Sequence, residues 1–336
     1  MSTPLTAKKG AEDELDDTLR PGKWDDYIGQ EKTKNNIQII IEAAKKRGDI
    51  PEHLLFYGWS GLGKTTLAHL VAKEIGTEIK ITSGPAIERP ADLAAILSNL
   101  SEGTVLFLDE CHRLNRTIEE YLYPAMEDFK LNLILGKGPM ARTMEYKLPR
   151  FTLIGATTRL ASLSNPLRSR FGAVFGLNFY EISDIERILE RSSKVLGIEA
   201  NLPSLNILAR CSRQNPRIAN HLLRRVRDFA QVRSSGKITE ETTKDALRSL
   251  EVDEFGLTAS DRKILEVLIL KFQGGPAGIQ ALSAAAFEEE ETILDVYEPF
   301  LMQLGFIERT PKGRVATKSA FKHLGIAFKN SQKPLL

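Results

Sequence analysis

The chain has 336 residues, of which 42% are hydrophobic and 27% charged, and its formal net charge is +2. This composition supplies enough apolar surface for a packed core and excludes a wholly disordered chain, and the length corresponds to about two or three domains. The small net charge excludes a globally basic nucleic-acid-binding protein, so any DNA contact must be a local patch.

Membrane attachment and secretion are not indicated. No uninterrupted apolar run reaches the ~18 residues that a membrane helix needs, and the N-terminal segment has no apolar stretch of the kind found in signal peptides. The 2 cysteines, Cys111 and Cys211, are too few for a disulfide framework or a zinc cage. We therefore expect a cytoplasmic protein without membrane contact, whose cysteines are buried or half-buried free thiols.

The chain begins with an arm, residues 1–18, that carries the acidic stretch Glu12–Asp17 and no periodicity able to bury a face. We expect this arm to be mobile. From Leu19 onward, short apolar runs typical of buried strands alternate with helical patterns. The runs are Leu54–Tyr57, Val105–Leu108 and Phe151–Ile154. This alternation predicts a parallel α/β sheet in one large domain, residues 19–181.

The loop after the first run carries the strongest chemical motif. Gly58-Trp59-Ser60-Gly61-Leu62-Gly63-Lys64-Thr65 fits the phosphate-loop pattern G-x-x-x-x-G-K-[ST], between a predicted strand and a predicted helix. Glycines let backbone N–H groups turn toward phosphate oxygens, and the following helix presents its N-terminus to an anion. Lys64 would neutralise the outer phosphates, and the Thr65 hydroxyl would bind Mg²⁺. A glycine-rich turn without a ligand is the alternative.

Polar residues end the other two predicted strands. Asp109 and Glu110 follow the second strand at its carboxyl end, where parallel sheets bind ligands. Asp109 could hold Mg²⁺, and Glu110 could polarise an attacking water. The alternative is that Asp109 and Glu110 are solvent-exposed acids without a ligand. Thr158, after the third strand, could reach the γ-phosphate or the water.

An insert in the large domain, residues 130–148, has a period of two on both sides of a Gly/Pro turn at 136–139. This pattern predicts a β-hairpin. Ile134 breaks the alternation and adds an apolar side chain on the other face. One face of the hairpin could pack on the domain core. An exposed apolar tip at Leu133 and Ile134 would instead mark a partner site.

Arginines stand at two points beyond the third strand. Arg170 follows where the strand–helix pattern breaks, and it could act as an arginine finger on a neighbouring subunit's nucleotide. A surface ion pair is the alternative. Arg217, after Pro216 at the start of a later helix, could contact the γ-phosphate from the lid side.

Beyond Tyr180 the periodicity is helical only, which predicts a small helical domain over 182–254. The last segment, 255–336, reads as three helices and a two-stranded hairpin, the pattern of a winged-helix domain. The predicted elements are the helices Asp261–Leu270, Ile279–Phe287 and Glu291–Leu304 and the strands Phe306–Arg309 and Arg314–Thr317.

Two arginines flank the turn of this last hairpin. Arg309 ends the outgoing strand and Arg314 starts the returning one, so we expect both guanidinium groups near one tip. The tip has no aromatic side chain to stack on bases, so contact with DNA phosphates is favoured over base readout. The alternative is a solvent-exposed hairpin whose two charges bind no ligand.

Taken in order, these elements resemble the AAA+ ATPases and, more closely, the bacterial RuvB family of branch-migration motors. The resemblance covers about residues 19–325. Besides the phosphate loop it rests on Leu19-Arg20-Pro21, Tyr27-Ile28-Gly29-Gln30, Asp109-Glu110-Cys111-His112-Arg113-Leu114, Tyr123-Pro124-Ala125-Met126-Glu127-Asp128, Gly155-Ala156-Thr157-Thr158-Arg159, Arg168-Ser169-Arg170-Phe171-Gly172, Pro216-Arg217-Ile218-Ala219 and Arg309-Thr310-Pro311-Lys312-Gly313-Arg314. It implies an α/β fold: an AAA+ P-loop domain with a parallel sheet, a helical lid domain and a C-terminal winged-helix domain.

The resemblance also implies an activity and partners. ATP hydrolysis with Mg²⁺ would drive translocation of the 5′–3′ helicase type on duplex DNA at Holliday junctions, in recombination and repair. The motor would be a homohexameric ring held on DNA by RuvA, with the resolvase RuvC as a further partner. The mobile C-terminal domain of RuvA would cover Leu133 and Ile134.

Residue roles follow from the same resemblance. The implied nucleotide contacts are Leu19, Arg20, Ile28, Gly61, Gly63, Lys64, Thr65, Thr66, Tyr180 and Arg217, with Glu127, Asp128, Phe129 and Arg170 also near a nucleotide. The implied catalytic group is Lys64, Asp109, Glu110, Thr158 as first sensor and Arg170 as finger, with Arg217 as second sensor. Thr65 and Asp109 would bind the metal, and Arg309 and Arg314 would contact DNA.

The chain departs from the family's pattern at three places. Trp59-Ser60 stand where two prolines are usual, so loop rigidity would change. Cys111 replaces an aliphatic residue. The turn at Phe287–Glu290 lacks the expected glycine, so its geometry should differ.

Two other classes of protein compete with this interpretation. Asp109-Glu110-Cys111-His112 also fits the D-E-x-H pattern of monomeric helicases, but no second nucleotide-binding half with arginines of the Q-x-x-G-R type follows. An AAA+ switch that binds ATP without turnover is the other class, and the intact Glu110, Thr158 and Arg170 oppose it. Light scattering with nucleotide separates a ring from a monomer, and steady-state ATPase activity separates a motor from a switch.

Overall fold

The computed structural model describes residues 18–135, 142–234 and 236–328. The expected mobile arm, apart from Thr18, and the expected hairpin turn at 136–139 lie outside the described residues. The described chain forms two compact units. One comprises the residues up to Gly197 together with Gln214–Asn220, and the other comprises Ile198–Arg213 and the residues from His221 onward.

The first unit contains seven strands, five of which form one parallel sheet in the order β2-β3-β6-β1-β7. The strands are β1 Leu54–Tyr57, β2 Ile79–Ser83, β3 Val105–Asp109, β4 Lys130–Leu135, β5 Arg142–Lys147, β6 Thr152–Thr157 and β7 Ala173–Gly176. The three apolar runs are confirmed as β1, β3 and β6. The edge strands β2 and β7 were not expected: neither contains a buried residue, β2 alternates apolar and polar residues, and β7 has only four residues.

The order of the strands brings the polar strand ends together. Strand β6 lies between β3 and β1, and all six of its residues are buried. Tyr57 therefore leads into the glycine loop beside Thr157, the last residue of β6, and Asp109 ends β3 on the other side. In parallel sheets this carboxyl edge is where ligands bind.

Helices pack around the sheet and close its core. They are Glu31–Arg47, Lys64–Ile75, Pro90–Ser98, Arg116–Glu127, Asn165–Ser169 and Ile182–Val195. Leu97 and Leu122 from two of these helices join Leu106 and Leu153 from the sheet in one buried apolar cluster. Each buried leucine of this kind contributes about 1.5–3 kcal/mol to folding, so the cluster fixes the frame on which the loops are carried.

The insert forms the predicted hairpin, with antiparallel β4 and β5 and Leu133 paired to Met144. At its base Leu131 is fully buried in the core cluster. Tyr146, which is paired with Leu131, and Met144, which lies further out, are both exposed. The hairpin thus packs on the core at its base and presents apolar side chains to solvent above it. The side chains of Leu133 and Ile134 lie outside the described part of the chain.

The second unit contains helices followed by a helix–hairpin segment. Its helices are Leu202–Cys211, the larger part of Pro216–Arg233, Glu240–Ser249, Ala259–Glu266 with Val267–Lys271, Ile279–Ala286, Glu290–Thr292 with Ile293–Tyr297 and Glu298–Gln303, and Lys318–His323, and its strands are β8 Ile307–Thr310 and β9 Gly313–Ala316. The three predicted helices and two predicted strands are confirmed to within two residues at each end. The helix Lys318–His323 was not expected.

Phe287 replaces the glycine that was expected between two helices of this segment. It ends the helix Ile279–Ala286 in a left-handed conformation, with φ of 56°. That conformation costs a residue with a Cβ about 1–2 kcal/mol. The ring is 84% exposed, and the ammonium groups of Lys263 and Lys271 lie 5.8 and 6.0 Å from its centroid. The turn therefore forms without glycine.

A buried ion pair joins the two segments of the second unit. Arg213, just beyond the helix Leu202–Cys211, pairs with the fully buried carboxylate of Asp261, and its Nε donates to the Gly256 carbonyl at 3.0 Å. The Arg213 guanidinium also lies over the Phe300 ring, 4.9 Å from its centroid. These contacts bridge the expected lid and winged-helix segments, so the two segments belong to one compact unit.

Two expectations from composition concern thiols and membrane helices. Cys111 and Cys211 are both buried and free, as predicted. Burial raises the pKa of the Cys111 thiol to about 12 and that of the Cys211 thiol to about 11. Among the described residues, none of the helices combines the length and the apolar character needed to cross a membrane.

Removal of Arg213 should destabilise the second unit strongly. Arg213→Ala leaves the Asp261 carboxylate buried without its cation, and breaking a buried pair in this way costs about 3–5 kcal/mol. Denaturant unfolding of purified protein measures the loss. Arg210→Ala, an exposed arginine three positions earlier, is the matched control and should change the free energy of unfolding by less than about 0.5 kcal/mol. Equal stability of the two variants would show that the pair does not hold the unit.

Candidate active site

The loop after β1 is built from glycines in conformations that side chains rarely adopt. Gly61 and Gly63 have φ of 83° and 100°. A Cβ at Gly61 would lie 2.4 Å from Asn215 Oδ1, and a Cβ at Gly63 would lie 2.7 Å from the Tyr27 hydroxyl oxygen. The helix Lys64–Ile75 begins immediately afterward, so its unpaired N-terminal N–H groups open onto the loop.

Lys64 is a buried cation at the start of that helix. Its Nζ donates to the carbonyl oxygens of Gly58 and Trp59 at 2.7 and 2.8 Å. Burial lowers the pKa of the Lys64 ammonium, and the negative charges of Asp109 and Glu110 oppose this shift. A buried cation that is held by carbonyl dipoles favours an anionic ligand.

Glu110 follows the carboxyl end of β3, where two side chains approach its carboxylate. Its backbone takes φ of 49°, and its N–H donates to Asp109 Oδ1 at 2.9 Å. The Thr158 hydroxyl donates to Glu110 Oε2 at 3.4 Å, and His112 Nδ1 lies 3.4 Å from the same oxygen. His112 Nδ1 also lies 2.9 Å from Thr157 Oγ1. The turn after β3 and the end of β6 thus both contribute a side chain that orients this carboxylate.

These groups line one open pocket of the first unit, with an empty volume of about 1070 Å³ including its mouth. The predicted residues that line it are Leu19, Arg20, Ile28, Gly61, Gly63, Lys64, Thr65, Thr66, Asp109, Glu110, Tyr180 and Arg217. The other predicted residues lie outside this lining: Glu127, Asp128, Phe129, Thr158 and Arg170. Of these, Thr158 reaches the site through Glu110.

A pair of buried tyrosines supports the pocket beneath the glycine loop. The Tyr180 hydroxyl lies 3.1 Å from the Tyr27 hydroxyl and 3.2 Å from the Leu62 carbonyl oxygen. Burial raises the pKa of Tyr27 well above its usual value and raises that of Tyr180 to about 12. Both hydroxyls therefore stay protonated at neutral pH and remain donors.

The segment Gln214–Asn220 is bound to the loop through one residue. Asn215 Nδ2 donates to the Ser60 carbonyl at 2.7 Å, and Arg217 Nη1 donates to Ser60 Oγ at 2.9 Å. Ser60 is one of the two positions where the resemblance led us to expect proline. A proline there would keep the carbonyl and lose the hydroxyl, so the contact to Arg217 depends on this departure from the pattern.

Arg170 and Glu127 contact each other and do not line the pocket. Arg170 Nη2 lies 3.2 Å from Glu127 Oε1, and its Nη1 donates to the Pro166 carbonyl at 2.7 Å. The guanidinium lies 4.2 Å from the centroid of the Tyr123 ring. The surface ion pair weighed from the sequence is therefore present within the chain.

The two wing arginines converge on one buried carboxylate. Arg309 and Arg314 are directly paired across β8 and β9, and both donate to Glu298, which is 1% exposed. The hydrogen bond from Arg309 to Glu298 raises the pKa of Arg309. As expected, the two guanidinium groups lie close together, and they differ in exposure: the Arg314 side chain is 12% exposed, whereas that of Arg309 is 53% exposed. Lys312, which is exposed, occupies the tip itself.

Several residues of the site were not assigned a role from the sequence, although Tyr27 stands in one of the motifs that carry the resemblance. Tyr27, Arg191 and Asn220 line the pocket, and Arg191 Nη1 donates to the Leu19 carbonyl at 2.8 Å. Gly84 allows β2 to approach β3, because a Cβ there would lie 2.5 Å from the Glu110 carbonyl oxygen. These roles arise from tertiary contacts between distant segments, which a motif search does not reveal.

The residues of the pocket fit a nucleoside triphosphate with a divalent cation. The glycine loop leaves space that a Cβ would fill, and the buried Lys64 supplies a cation beside it. The Thr65 hydroxyl and the Asp109 carboxylate offer oxygen atoms, the ligands that Mg²⁺ prefers. Leu19, among other residues, gives the far side of the pocket an apolar lining that suits a base.

Three family models match consecutive parts of the chain. Residues 19–177 match the Holliday junction DNA helicase RuvB P-loop domain, residues 180–253 match the RuvB AAA lid domain, and residues 254–325 match the RuvB C-terminal winged helix domain. Together these models account for the parallel-sheet domain, the helical lid and the winged-helix segment.

Individual relatives agree with the family models. The Holliday junction branch migration complex subunit RuvB of Dehalococcoides mccartyi (strain CBDB1) is 55% identical over 318 residues, covering 95% of this chain and 91% of the relative. The corresponding subunit of Chloroflexus aggregans is 54% identical over 322 residues, covering 96% and 92%. A solved structure, the Thermotoga maritima RuvB Holliday junction branch migration motor, superposes with a TM-score of 0.84 at 43% identity, covering 92% of this chain and 99% of that one.

The buried tyrosine pair should make the fold sensitive to high pH. The pKa of Tyr180 in the folded chain is about 12, above the usual 10.0, so its contribution to stability is complete below pH 10 and is lost as the pH rises toward 12. The free energy of unfolding should fall by about 1.4 kcal/mol per pH unit in that window for this one group.

Unfolding measured between pH 9 and 12 should therefore show a shallower decline for Tyr180→Phe than for the unsubstituted chain. Tyr146→Phe, which changes an exposed tyrosine, is the control and should leave the slope unchanged. Identical slopes for all three proteins would mean that Tyr180 ionises as freely in the folded chain as in the unfolded one.

Proposed function

The chain belongs to the RuvB family, and we propose that it is an ATP-driven DNA motor that moves Holliday junctions by branch migration. The family membership gives the AAA+ P-loop ATPase class. Translocation of the 5′–3′ type, a hexameric ring, and the partners RuvA and RuvC are parts of the proposal. So are the domain limits: an ATPase domain over 19–181, a lid over 182–254 and a DNA-binding head from 255 onward.

One observation carries the proposal: the contact between Thr158 and Glu110 beside the Lys64 loop. A pocket that only stored a nucleotide would need the loop and the lysine. This pocket also holds a carboxylate whose Oε2 accepts from the Thr158 hydroxyl at 3.4 Å, between strands that end at the same edge. A carboxylate oriented in this way is what activation of a water molecule requires.

The roles of the chain's own groups follow from their positions. Lys64 and the N–H groups that start its helix bind the phosphates, and Thr65 and Asp109 would hold Mg²⁺. When bound, that ion supplies neutralisation of charge on the outer phosphates. Glu110 orients the attacking water and accepts its proton, and Thr158 fixes the direction of the Glu110 carboxylate. Arg217 contacts the phosphates as well. It lies on the segment Gln214–Asn220, which is bound to the phosphate loop through Ser60.

Arg170 acts in this proposal on the pocket of a neighbouring chain. It does not line the pocket of its own chain and instead lies with Glu127 beside Tyr123. A contact in which each chain places its arginine on the next chain's nucleotide is heterologous, and such contacts build either closed rings or open helical filaments. The family resemblance favours the closed ring and sets its number of subunits at six.

DNA binding is proposed for the wing rather than for the helix before it. The helix over residues 290–303 stands where winged-helix domains carry their recognition helix, but it contains Glu290, Glu291, Asp295 and Glu298 and no lysine or arginine. DNA phosphates would repel it. The wing offers Arg309, which is half-exposed, together with Arg314, and its binding should not depend on sequence.

Partner binding is proposed for the hairpin. Its exposed Tyr146 lies opposite the buried Leu131 and its exposed Met144 lies further out, and Leu133 and Ile134 belong to the facing strand. An apolar surface of this kind suits a small helical module, and we assign RuvA to it. We also propose RuvC as a partner and a cytoplasmic location, and only the family resemblance supports these two points.

The two competing classes lose support for separate reasons. A monomeric helicase of the D-E-x-H class would need a second α/β half, whereas the family models assign residues 180–325 to a lid and a winged helix. A switch without turnover would not need the oriented carboxylate of Glu110. Light scattering with nucleotide and steady-state ATPase assays separate these classes from the proposed motor.

Hydrolysis across subunit boundaries can be tested with two inactive variants. Arg170→Ala should bind ATP normally but lose about 10³–10⁵ in turnover, the usual contribution of an arginine finger. Glu110→Gln should also bind and fail to turn over. Mixed in one ring, the two should regain part of the activity, because some interfaces then combine an intact Glu110 with an intact Arg170. Full activity of Arg170→Ala alone would contradict the finger role.

Wing binding can be tested by salt titration of duplex affinity. Each phosphate contact contributes about −0.9 to the slope of log K against log [salt], so a ring of Arg309→Ala chains should show a shallower slope and weaker binding to any sequence. Because each arginine is weak alone, the loss should be larger for the assembled ring than for one chain. Lys322→Ala, an exposed lysine outside the wing, should have little effect. An unchanged slope for the Arg309→Ala, Arg314→Ala double variant would refute the assignment.

Partner binding can be tested with charged substitutions on the hairpin. Leu133→Asp or Ile134→Asp should leave basal ATPase activity near normal and abolish most of the stimulation by RuvA, because a buried charge opposes an apolar contact. Met144→Asp should act in the same way, and Leu131→Asp is the contrasting control, which should unfold the hairpin base. Undiminished stimulation by RuvA would place the contact elsewhere on the chain.

A further inference from the structure

The guanidinium of Arg170 is fixed on its own chain by three different kinds of contact. Its Nη1 donates to the Pro166 carbonyl at 2.7 Å, its Nη2 pairs with Glu127 at 3.2 Å, and its Cζ lies over the Tyr123 ring, 4.2 Å from the centroid. Its Nε is buried and has no hydrogen-bond partner among the described residues. An arginine has five N–H bonds, so hydrogens remain on both Nη atoms for a ligand outside the chain.

The three contacts differ in how firmly they can direct the side chain. The Glu127 side chain is 55% exposed, so its ion pair with Arg170 is solvated and weak. The Pro166 carbonyl holds one nitrogen but leaves the plane free to rotate. A cation over an aromatic face gains about 0.5–2 kcal/mol, and the face also blocks motion toward the chain. The ring is therefore the contact that sets the plane of the guanidinium.

Tyr123 is itself anchored, which a simple surface aromatic would not be. Its hydroxyl donates to Glu119 Oε2 at 3.0 Å and lies 3.2 Å from Ser164 Oγ. Glu119 is buried in the helix Arg116–Glu127, and Ser164 caps the short helix that leads to Arg170. Burial raises the pKa of the Tyr123 phenol, which keeps it a donor. The ring is thus tied to both elements that meet at the finger.

We infer that Tyr123 is a positioning residue for the arginine finger: its ring presents the Arg170 guanidinium to the neighbouring subunit's nucleotide. This inference rests on the proposed function, in which Arg170 acts in trans. Tyr123 does not touch the nucleotide and works only through Arg170. Its loss should therefore resemble a weakened finger, with nucleotide binding by the same chain intact.

Steady-state kinetics give the first test. Tyr123→Leu should lower kcat about 2- to 30-fold, the factor that corresponds to loss of a cation–π contact, and leave the KM for ATP within about twofold. Tyr123→Phe keeps the ring and should keep most of kcat. Tyr121→Leu, two residues earlier in the same helix and packed on the same core, is the matched control. An equal loss in Tyr123→Phe and Tyr123→Leu would overturn the role of the ring.

Mixed rings give the decisive test, because a positioning residue for the finger must act in the chain that donates the finger. Tyr123→Leu mixed one to one with Glu110→Gln should exceed the summed activities of the two separate variants, by about 1.5-fold for a twofold loss of kcat and about 15-fold for a 30-fold loss. The gain arises because the Glu110→Gln chain supplies an intact finger to the intact Glu110. Tyr123→Leu mixed with Arg170→Ala should show no gain. A gain in both mixtures, or in neither, would overturn the inference.

The reference mixture of Arg170→Ala with Glu110→Gln tests the action of Arg170 in trans separately from the role of Tyr123. If that mixture regains activity and the Tyr123→Leu mixture does not, only the role of Tyr123 fails. If the reference mixture itself stays inactive, Arg170 does not act on a neighbouring chain, and the proposed role of Tyr123 is contradicted as well.

Tyr123→Leu could lose stability because the ring also packs on the core, so a shape-preserving pair serves as the second measurement. Phenylalanine and pentafluorophenylalanine at position 123 have nearly the same shape, but fluorination removes the negative face of the ring. The fluorinated ring should lower kcat severalfold relative to phenylalanine, at unchanged thermal unfolding. Equal kcat for the two rings would show that Tyr123 only fills space.

Discussion

A buried ammonium group, that of Lys64, sets the layout of the phosphate site. It lies at the first residue of a helix, is 7% exposed, and is hydrogen-bonded to two carbonyl oxygens of its own loop. A cation in this position is stable only when dipoles or anions surround it. The loop glycines, the acids of β3 and the helix N-terminus are the groups that meet this requirement, and the same groups make a binding site for a phosphate chain.

The segment Gln214–Asn220 is the second feature connected with the phosphate site. It belongs to the compact unit of the sheet, although the residues on both sides of it belong to the other unit. Asn215 and Arg217 bind it to Ser60 in the phosphate loop. One residue before the segment, Arg213 is bound to the buried Asp261 of the winged-helix segment. Residues only two positions apart, Arg213 and Asn215, therefore bind the winged-helix segment and the phosphate loop, respectively.

The sequence predicted the central part of the fold well because burial leaves a strong pattern there. Strands β1, β3 and β6 are apolar runs, and the helices and strands of the winged-helix segment agree to within two residues. The edge strands β2 and β7 left no such pattern, since solvent covers part of each. Phe287 could not be foreseen as a left-handed helix end, because residues with a Cβ seldom adopt that conformation.

The candidate site divides in a similar way. Residues within the motifs lie together in one pocket, because the order of the strands places their carboxyl ends side by side. Tyr123 stands in one of the motifs, but its contact with Arg170, like that of Asn215 with Ser60, joins distant segments and leaves no local pattern. The wing arginines were found from the sequence, but their shared carboxylate, Glu298, lies in a different element and changes which of them faces solvent.

The central claim is that each chain completes the catalytic site of its neighbour with Arg170. A structure of the assembled protein with a non-hydrolysable ATP analogue and duplex DNA would test it most directly. We expect the Arg170 guanidinium within hydrogen-bond distance of the γ-phosphate that the neighbouring chain's Lys64 holds, with the Tyr123 ring still beneath it. A γ-phosphate contacted by residues of one chain alone, with Arg170 turned away from every nucleotide, would contradict the account.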